Sequence, residues 1–173
     1  MIKTVLIATD GSSHARKAET LGAAIASKFG ARVLVLHVLM RSASFRAIHD
    51  AFKREGLPTT ALDRIANEQV KLPVTVPYGG PILPHVTTDI LVQLGEHCLS
   101  TARRALEGEG VKKPELLLED GDPAERILAV AKRENADFIV MGHRGLGALG
   151  ELAAGSVSLK VSHRAPCTVV TVK

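Results

Sequence analysis

Short apolar runs of strand length alternate with amphipathic stretches of helix length along this chain, and that alternation limits the available architectures more than any other feature. The run TVLIA at 4–8 is rich in β-branched residues and ends at Asp10-Gly11, and RVLVLHVL at 32–39 repeats the pattern. Both read as strands buried on two faces. Between them Ser12 or Ser13 can cap a helix, since a serine oxygen accepts a free first-turn N–H. Ala18, Leu21, Ala24, Ile25 and Ala26 supply its apolar stripe, and Gly30 suits a left-handed stop after Phe29. Thr87 or Thr88 then opens a stretch with Ile90, Leu91, Leu94, Cys98, Ala102 and Ala105 at helical spacing, followed by a short strand at 115–118. Asp122-Pro123 sets a cap residue before a proline at the first helical position, and Ile127, Leu128 and Ala131 form that helix's apolar face. A fourth strand at 138–141, a short helix holding 157–161 and a fifth strand, CTVVTV at 167–172, complete the series. Such alternation builds βαβ crossovers, so the fold is α/β: an open five-stranded parallel sheet with helices on both faces.

Residues 41–86 interrupt the pattern. They carry expected helices at 44–54 and 60–70, then the stretch LPVTVPYGGPILPHV, whose prolines argue against a central strand. A connection of this length in an α/β fold is a lid, a partner surface or a disordered insertion. With 173 residues the whole chain, 1–173, reads as a single domain carrying that insertion. No apolar run is long enough for a transmembrane span or a signal-peptide core, which implies a cytoplasmic protein with no membrane partner. Cys98 and Cys167 have no metal or CxxC spacing and read as two buried thiols in a reducing compartment. The net charge of +4 would permit nucleic-acid contact, but the basic residues are scattered in pairs such as Arg103-Arg104 and Lys132-Arg133. Aromatics make up only 3% of the chain, with no Trp, which leaves little for bases to stack on. No nucleic-acid partner is expected.

The stretch GHRGLGALGELAAGS at 142–156 places five glycines directly after the fourth strand. Gly145, Gly147 and Gly150 match GxGxxG, yet the dinucleotide fingerprint needs a following helix, a second strand and an acid about twenty positions on. No such acid stands between Gly150 and Lys173 at that spacing. No GxxxxGK[ST] occurs either. The other spacing, Gly142-x2-Gly145-x9-Gly155-Ser156, sets two glycines at a strand end and a glycine-serine pair at a helix start. Backbone N–H groups there, with the Ser156 and Ser158 hydroxyls and the helix dipole, form a cradle for polyphosphate. Standing alone, the same glycines would equally permit a mobile surface loop. In open α/β sheets, however, ligands sit beyond the carboxyl ends of strands, and Ala8-Thr9-Asp10 lies at such an end. Asp10 is either a helix-start residue or a group facing ribose, phosphate or metal.

Over nearly its whole length, 41–86 excepted, the chain resembles the universal stress protein family. VLIATDGSSHARKA is similar to that family's opening strand and helix, GDPAERILAVAKRENADFIVMGHRG to its third helix and fourth strand, and GSVSLKVSHRAPCTVVTV to its ending. The Gly142-x2-Gly145-x9-Gly155-Ser156 spacing resembles the motif of its ATP-binding branch. The resemblance implies strand order 3-2-1-4-5, the adenine nucleotide alpha hydrolase-like arrangement, with ATP between strands one and four. It implies that the Val38 backbone meets adenine, that Ala8 and Thr9 wall the pocket, and that Asp10 lies near ribose and a Mg²⁺ or Mn²⁺ carried with the nucleotide. Met141, Gly142, Arg144 and Gly145 would flank sugar and phosphates, and Gly155, Ser156, Val157 and Ser158 would hold the phosphate tail. Many relatives have a lysine or arginine in the nine-residue gap; here Glu151 is the one charged residue in it, which lowers the expected phosphate affinity. The resemblance also implies a homodimer closed by the last strand, where Val169, Val170 and Val172 either line the seam or pack on the chain's own helices.

Three functions are in view: an ATP-binding stress or regulatory protein, a slow ATPase or self-phosphorylating enzyme, and a dimeric interaction module without nucleotide. The spacing motif favours the first. Asp10 and Glu151 are the only carboxylates at the proposed pocket and no histidine is paired with a nucleophile, so no catalytic constellation is assigned. The histidines lack metal-ligand spacing, so no protein metal site is expected.

Overall fold

The computed structural model describes residues 1–39, 48–49, 52–53, 59–60, 62–63, 88–146 and 155–173. The expected helices at 44–54 and 60–70 lie mostly outside these residues, as do 71–86 and 147–154; the described positions 48–49, 52–53, 60 and 62–63 are helical. The elements run β1 (Thr4–Ala8), α1 (Ser13–Phe29), β2 (Arg32–Leu39), α2 (Thr88–Gly108), β3 (Glu115–Asp120), α3 (Pro123–Arg133), β4 (Phe138–Gly142), α4 (Ser156–Arg164) and β5 (Thr168–Val172). The strands form one five-stranded sheet in the order β3-β2-β1-β4-β5. Every pairing is parallel.

Strand alternation sorts the core into two layers. Leu6, Leu34, Leu36 and Ile139 face α3 and α4 with Ala124, Ile127, Val130 and Val161. Val5, Ile7, Val33, Val35 and Val140 face the other way, onto Ala18, Ala23 and Ala26 of α1 and Leu99, Ala102 and Leu106 of α2. A third cluster joins Leu39, Leu91 and Leu94 to Ile48, Phe52 and Leu62 and to Leu146 of the glycine-rich loop.

The caps follow the sequence closely. Ser12 caps α1, its hydroxyl accepting the Ala15 N–H at 3.2 Å. Gly30 ends that helix at φ 64°, a conformation that penalises a Cβ. Asp122 caps α3 by accepting the Glu125 N–H, with Pro123 in the first turn. Thr88 is the first described residue of α2, and Thr87 lies outside the described set.

Four expectations are corrected. The buried face of α1 is Ala15, Ala18, Glu19, Gly22, Ala23 and Ala26, whereas Leu21 and Ala24 are exposed and Ile25 is half-buried. The cause is close approach: a Cβ on Gly22 would sit 2.6 Å from Ile7 Cδ1, so small residues turn inward. Ala105 of α2 is exposed, and Leu99 and Leu106 are buried instead. Cys98 is buried but Cys167, just ahead of the edge strand, is half-buried. The last strand begins at Thr168 rather than Cys167.

Candidate functional site

The carboxyl ends of β1, β2 and β4 meet where the strand order turns. Ala8 pairs in register with Leu36 on one side and Met141 on the other. Ala8, Val38 and Met141 belong to the same layer, facing α3 and α4, and each is less than a tenth exposed. Of the residues the resemblance sets around adenine, Ala8 and Val38 therefore share one face with Met141, whereas Thr9 turns its hydroxyl to Glu19 of α1.

Beyond Ala8 the chain is held by an unusual density of hydrogen bonds. Thr9 donates its N–H to the Leu36 carbonyl at 2.9 Å, and its hydroxyl donates to Glu19 Oε1 at 2.6 Å while accepting the Gly11 N–H at 3.2 Å. The Thr9 carbonyl lies 2.9 Å from His37 Nδ1. A carbonyl can only accept, so Nδ1 carries the hydrogen. Burial drives the His37 pKa down and so keeps the ring neutral. Burial also raises the Glu19 carboxyl above its ordinary value, against the lowering pull of the Thr9 hydroxyl and the Arg16 charge. Cys98, its thiol 3.8 Å from the Asp10 carbonyl, is pushed up to about 12 by burial and is no nucleophile.

Asp10 ties two loops together. Its Oδ1 accepts the Ser12 N–H at 3.1 Å and its Oδ2 the Leu146 N–H at 2.7 Å. The helix-start role is thus present, with a second grip on the loop after β4. Carboxylate oxygens have further lone pairs, so these two bonds do not exhaust Asp10 as an acceptor.

The glycines serve close backbone contact. A Cβ on Gly142 would lie 2.9 Å from the Arg144 carbonyl and from His14 Cβ, one on Gly145 would collide with Asp10 Oδ2, and one on Gly155 would lie 3.1 Å from the His143 carbonyl. Added side chains there meet protein first, so substitution disturbs the loop itself rather than simply filling a cradle. The Gly155 N–H donates to His143 O at 3.0 Å, which sets the N-terminus of α4 beside the 142–145 loop. Gly155 is the N-cap and supplies no side-chain bond to the first turn. Ser156 is exposed and Val157 half-buried, whereas Ser158 is 3% exposed. The Ser158 hydroxyl, with one proton, lies 2.8 Å from His143 O and 2.9 Å from Gly155 O, so it is engaged in holding the loop.

Of the twelve expected site residues, Ala8, Val38, Met141 and Gly142 lie at the strand ends, Thr9, Asp10, Arg144 and Gly145 in the loops that leave them, and Gly155, Ser156, Val157 and Ser158 at the cap and first turn of α4. Sequence reasoning missed Glu19 and His37. Glu19 could have been found as a carboxylate in line with Ala15, Ala18, Gly22 and Ala26, and His37 as the one ionisable residue inside an apolar strand. Among the described residues no group of three His, Cys, Asp or Glu side chains is placed to hold a metal ion, and no helix is long and apolar enough to cross a membrane.

The sequence profile of the Universal stress protein family matches residues 1–173, the full chain. The chain belongs to this family. A relative from Thermus aquaticus, described as a universal stress protein in the QAH/OAS sulfhydrylase 3′ region, is 36% identical over 173 residues, covering 100% of both chains. Among solved structures, a universal stress protein in complex with cAMP superposes with a TM-score of 0.60 at 20% identity, over 99% of this chain and 97% of that one. The universal stress protein from Archaeoglobus fulgidus in complex with dAMP gives 0.60 at 20%, over 100% and 98%. At such identity these likenesses speak for the fold, which agrees with the five-stranded 3-2-1-4-5 sheet.

Proposed function

We propose that this universal stress protein is a nucleotide-dependent regulator that binds ATP in the crevice between β1 and β4. The observation that carries the reading is one of placement: Ala8, Val38 and Met141 line one face at the strand ends, and the side-chain-uncapped start of α4 is bonded to the 142–145 loop beside them. The apolar face suits a base and the helix start suits phosphate. Two family members of the same fold were solved with adenine nucleotides, which supports adenine as the base.

In this reading the Val38 backbone meets the adenine edge and Asp10 faces the ribose. Arg144 and the Gly142 and Gly145 backbone flank sugar and phosphate, and the first-turn N–H groups at Ser156, Val157 and Ser158 receive the phosphate tail. Among the described residues Asp10 is one carboxylate with no metal-ligating group around it, so Mg²⁺ or Mn²⁺ would arrive on the nucleotide rather than be held by the protein. The ion would neutralise phosphate charge there. Among the described residues no general base is placed at the phosphate end, so turnover should stay at or below about one per minute, against roughly 1–1000 per second for typical enzymes. A cytoplasmic setting supplies the nucleotide.

Calorimetric titration tests this. MgATP should give saturable heat and MgGTP a weaker response, because guanine presents the opposite donor and acceptor order to a backbone edge. Absence of ATP heat, or equal affinity for GTP, would overturn the proposal, and rapid phosphate release would favour the enzyme reading.

A further inference from the structure

On the sheet face opposite Ala8, Val38 and Met141, residues of α1 and α2 together with Gly11 and Phe52 border a partly open cavity of about 230 Å³ that shares no lining residue with the proposed nucleotide crevice. Its lining includes the apolar Phe52 and Ala102, each 1% exposed, and Cys98. Glu19 lines it and is 3% exposed. One oxygen of that carboxyl, Oε1, accepts the Thr9 hydroxyl, and no described residue makes a second hydrogen bond to the group. Because no buried side-chain polar atom among the described residues lacks a partner, the second oxygen is open to solvent, and a donor from outside the chain can take the place of water there. Arg16 and Thr101 are exposed at the rim. The Arg16 guanidinium spends one N–H on the Gly11 carbonyl at 2.7 Å and has others to offer.

We propose that this cavity is a second binding site, for a small organic acid with a hydroxyl at its far end: hydroxyl on Glu19, apolar body against Phe52 and Ala102, carboxylate at Arg16. The volume lies below the roughly 300 Å³ at which drug-sized sites begin, so the body is about one ring or a few carbons. A hydroxyl fits better than an ammonium at the inner end. Burial resists ionisation of Glu19, and a hydroxyl both donates and accepts, so it pairs with either protonation state, whereas an ammonium needs the anion and must pass Arg16.

The test is a titration followed by amide chemical shifts, with 4-hydroxybenzoate as probe and benzoate and 4-methylphenol as its two truncations. The full probe should saturate at roughly millimolar concentration or below, shifting residues around Glu19, Cys98 and Thr101. Each truncation should bind about tenfold more weakly, the loss expected for one hydrogen bond to a charged or buried partner. Arg16→Met should erase the preference over 4-methylphenol alone, and Thr101→Phe, a change at an exposed position on the rim, should block all three. No saturable shift, equal binding of benzoate, or binding unaffected by Thr101→Phe would each overturn the proposal. The outcome is independent of ATP binding, which the same samples report through shifts at Gly142 and Ser156.

Discussion

Glu19 sits in surroundings at odds with its chemistry: a carboxyl on the buried face of α1, held by the Thr9 hydroxyl. Its folded pKa is raised above the ordinary 4.5, chiefly by burial. A group raised in this way contributes fully to stability below its unfolded value and loses that contribution as pH rises through the folded value. Glu19→Gln keeps an acceptor for Thr9 and removes the titration. Urea denaturation should therefore show the variant gaining on wild type as pH rises above the ordinary glutamate value of 4.5, and a pH-independent difference would refute the assignment. Asp10 matters through geometry instead: it satisfies two backbone N–H groups. Asp10→Ala should cost about 1–3 kcal/mol in the same assay and weaken ATP binding by releasing Leu146. Sequence alone brought Asp10 to attention through its place at a strand end. Its bond to Leu146 was not legible there, because a contact between residues 136 positions apart depends on β1 and β4 becoming neighbours.

Among the elements, α4 is where fold and proposed chemistry meet. Its start needs no side-chain cap if an anion takes that place, which makes Ser156→Asp informative. A carboxylate at an exposed first-turn position complements the helix dipole and should stabilise the protein by about 0.3–1 kcal/mol. The same charge repels phosphate, so ATP affinity should fall about tenfold while the melting temperature holds or rises. A variant that binds ATP like wild type would move the phosphate tail away from α4. The five strands, the Ser12 and Asp122 caps and the Gly30 stop were legible because each is a local signal within a few residues. The inward face of α1 was not. Helical periodicity marks Leu21 as core, but the separation between α1 and β1 decides that Gly22 turns inward, and that separation is tertiary. The glycines of the 142–156 stretch were legible as a site but not in their physical role, since their crowding against His14, Asp10 and His143 exists only once the loops are folded together.

At the scale of the whole molecule, β5 ends the sheet with one side unpaired by any described strand. Its apolar side chains are already half used: Val169 packs with the α3–α4 layer, and Val170 and Val172 with the α1–α2 layer. The backbone is what remains available. The Thr168 N–H donates to Asp137 O and the His143 N–H to Val172 O, so residues 168, 170 and 172 turn their peptide groups toward β4. By alternation, Val169 and Thr171 turn theirs outward, toward whatever strand approaches. We propose that this strand is β5 of a second copy, antiparallel about a two-fold axis, giving a closed homodimer. Removing residues 167–173 would be a poor test, because Val169, Val170 and Val172 also belong to the core. Thr171→Pro is sharper: it deletes one outward N–H, takes none from the β4 ladder, and proline is tolerated on edge strands. Light scattering at tens of micromolar, roughly where a weak interface remains populated, should show a dimer for wild type and a folded monomer for the variant. A wild-type monomer would end the proposal, and a dimer that persists in Thr171→Pro would place the interface away from β5.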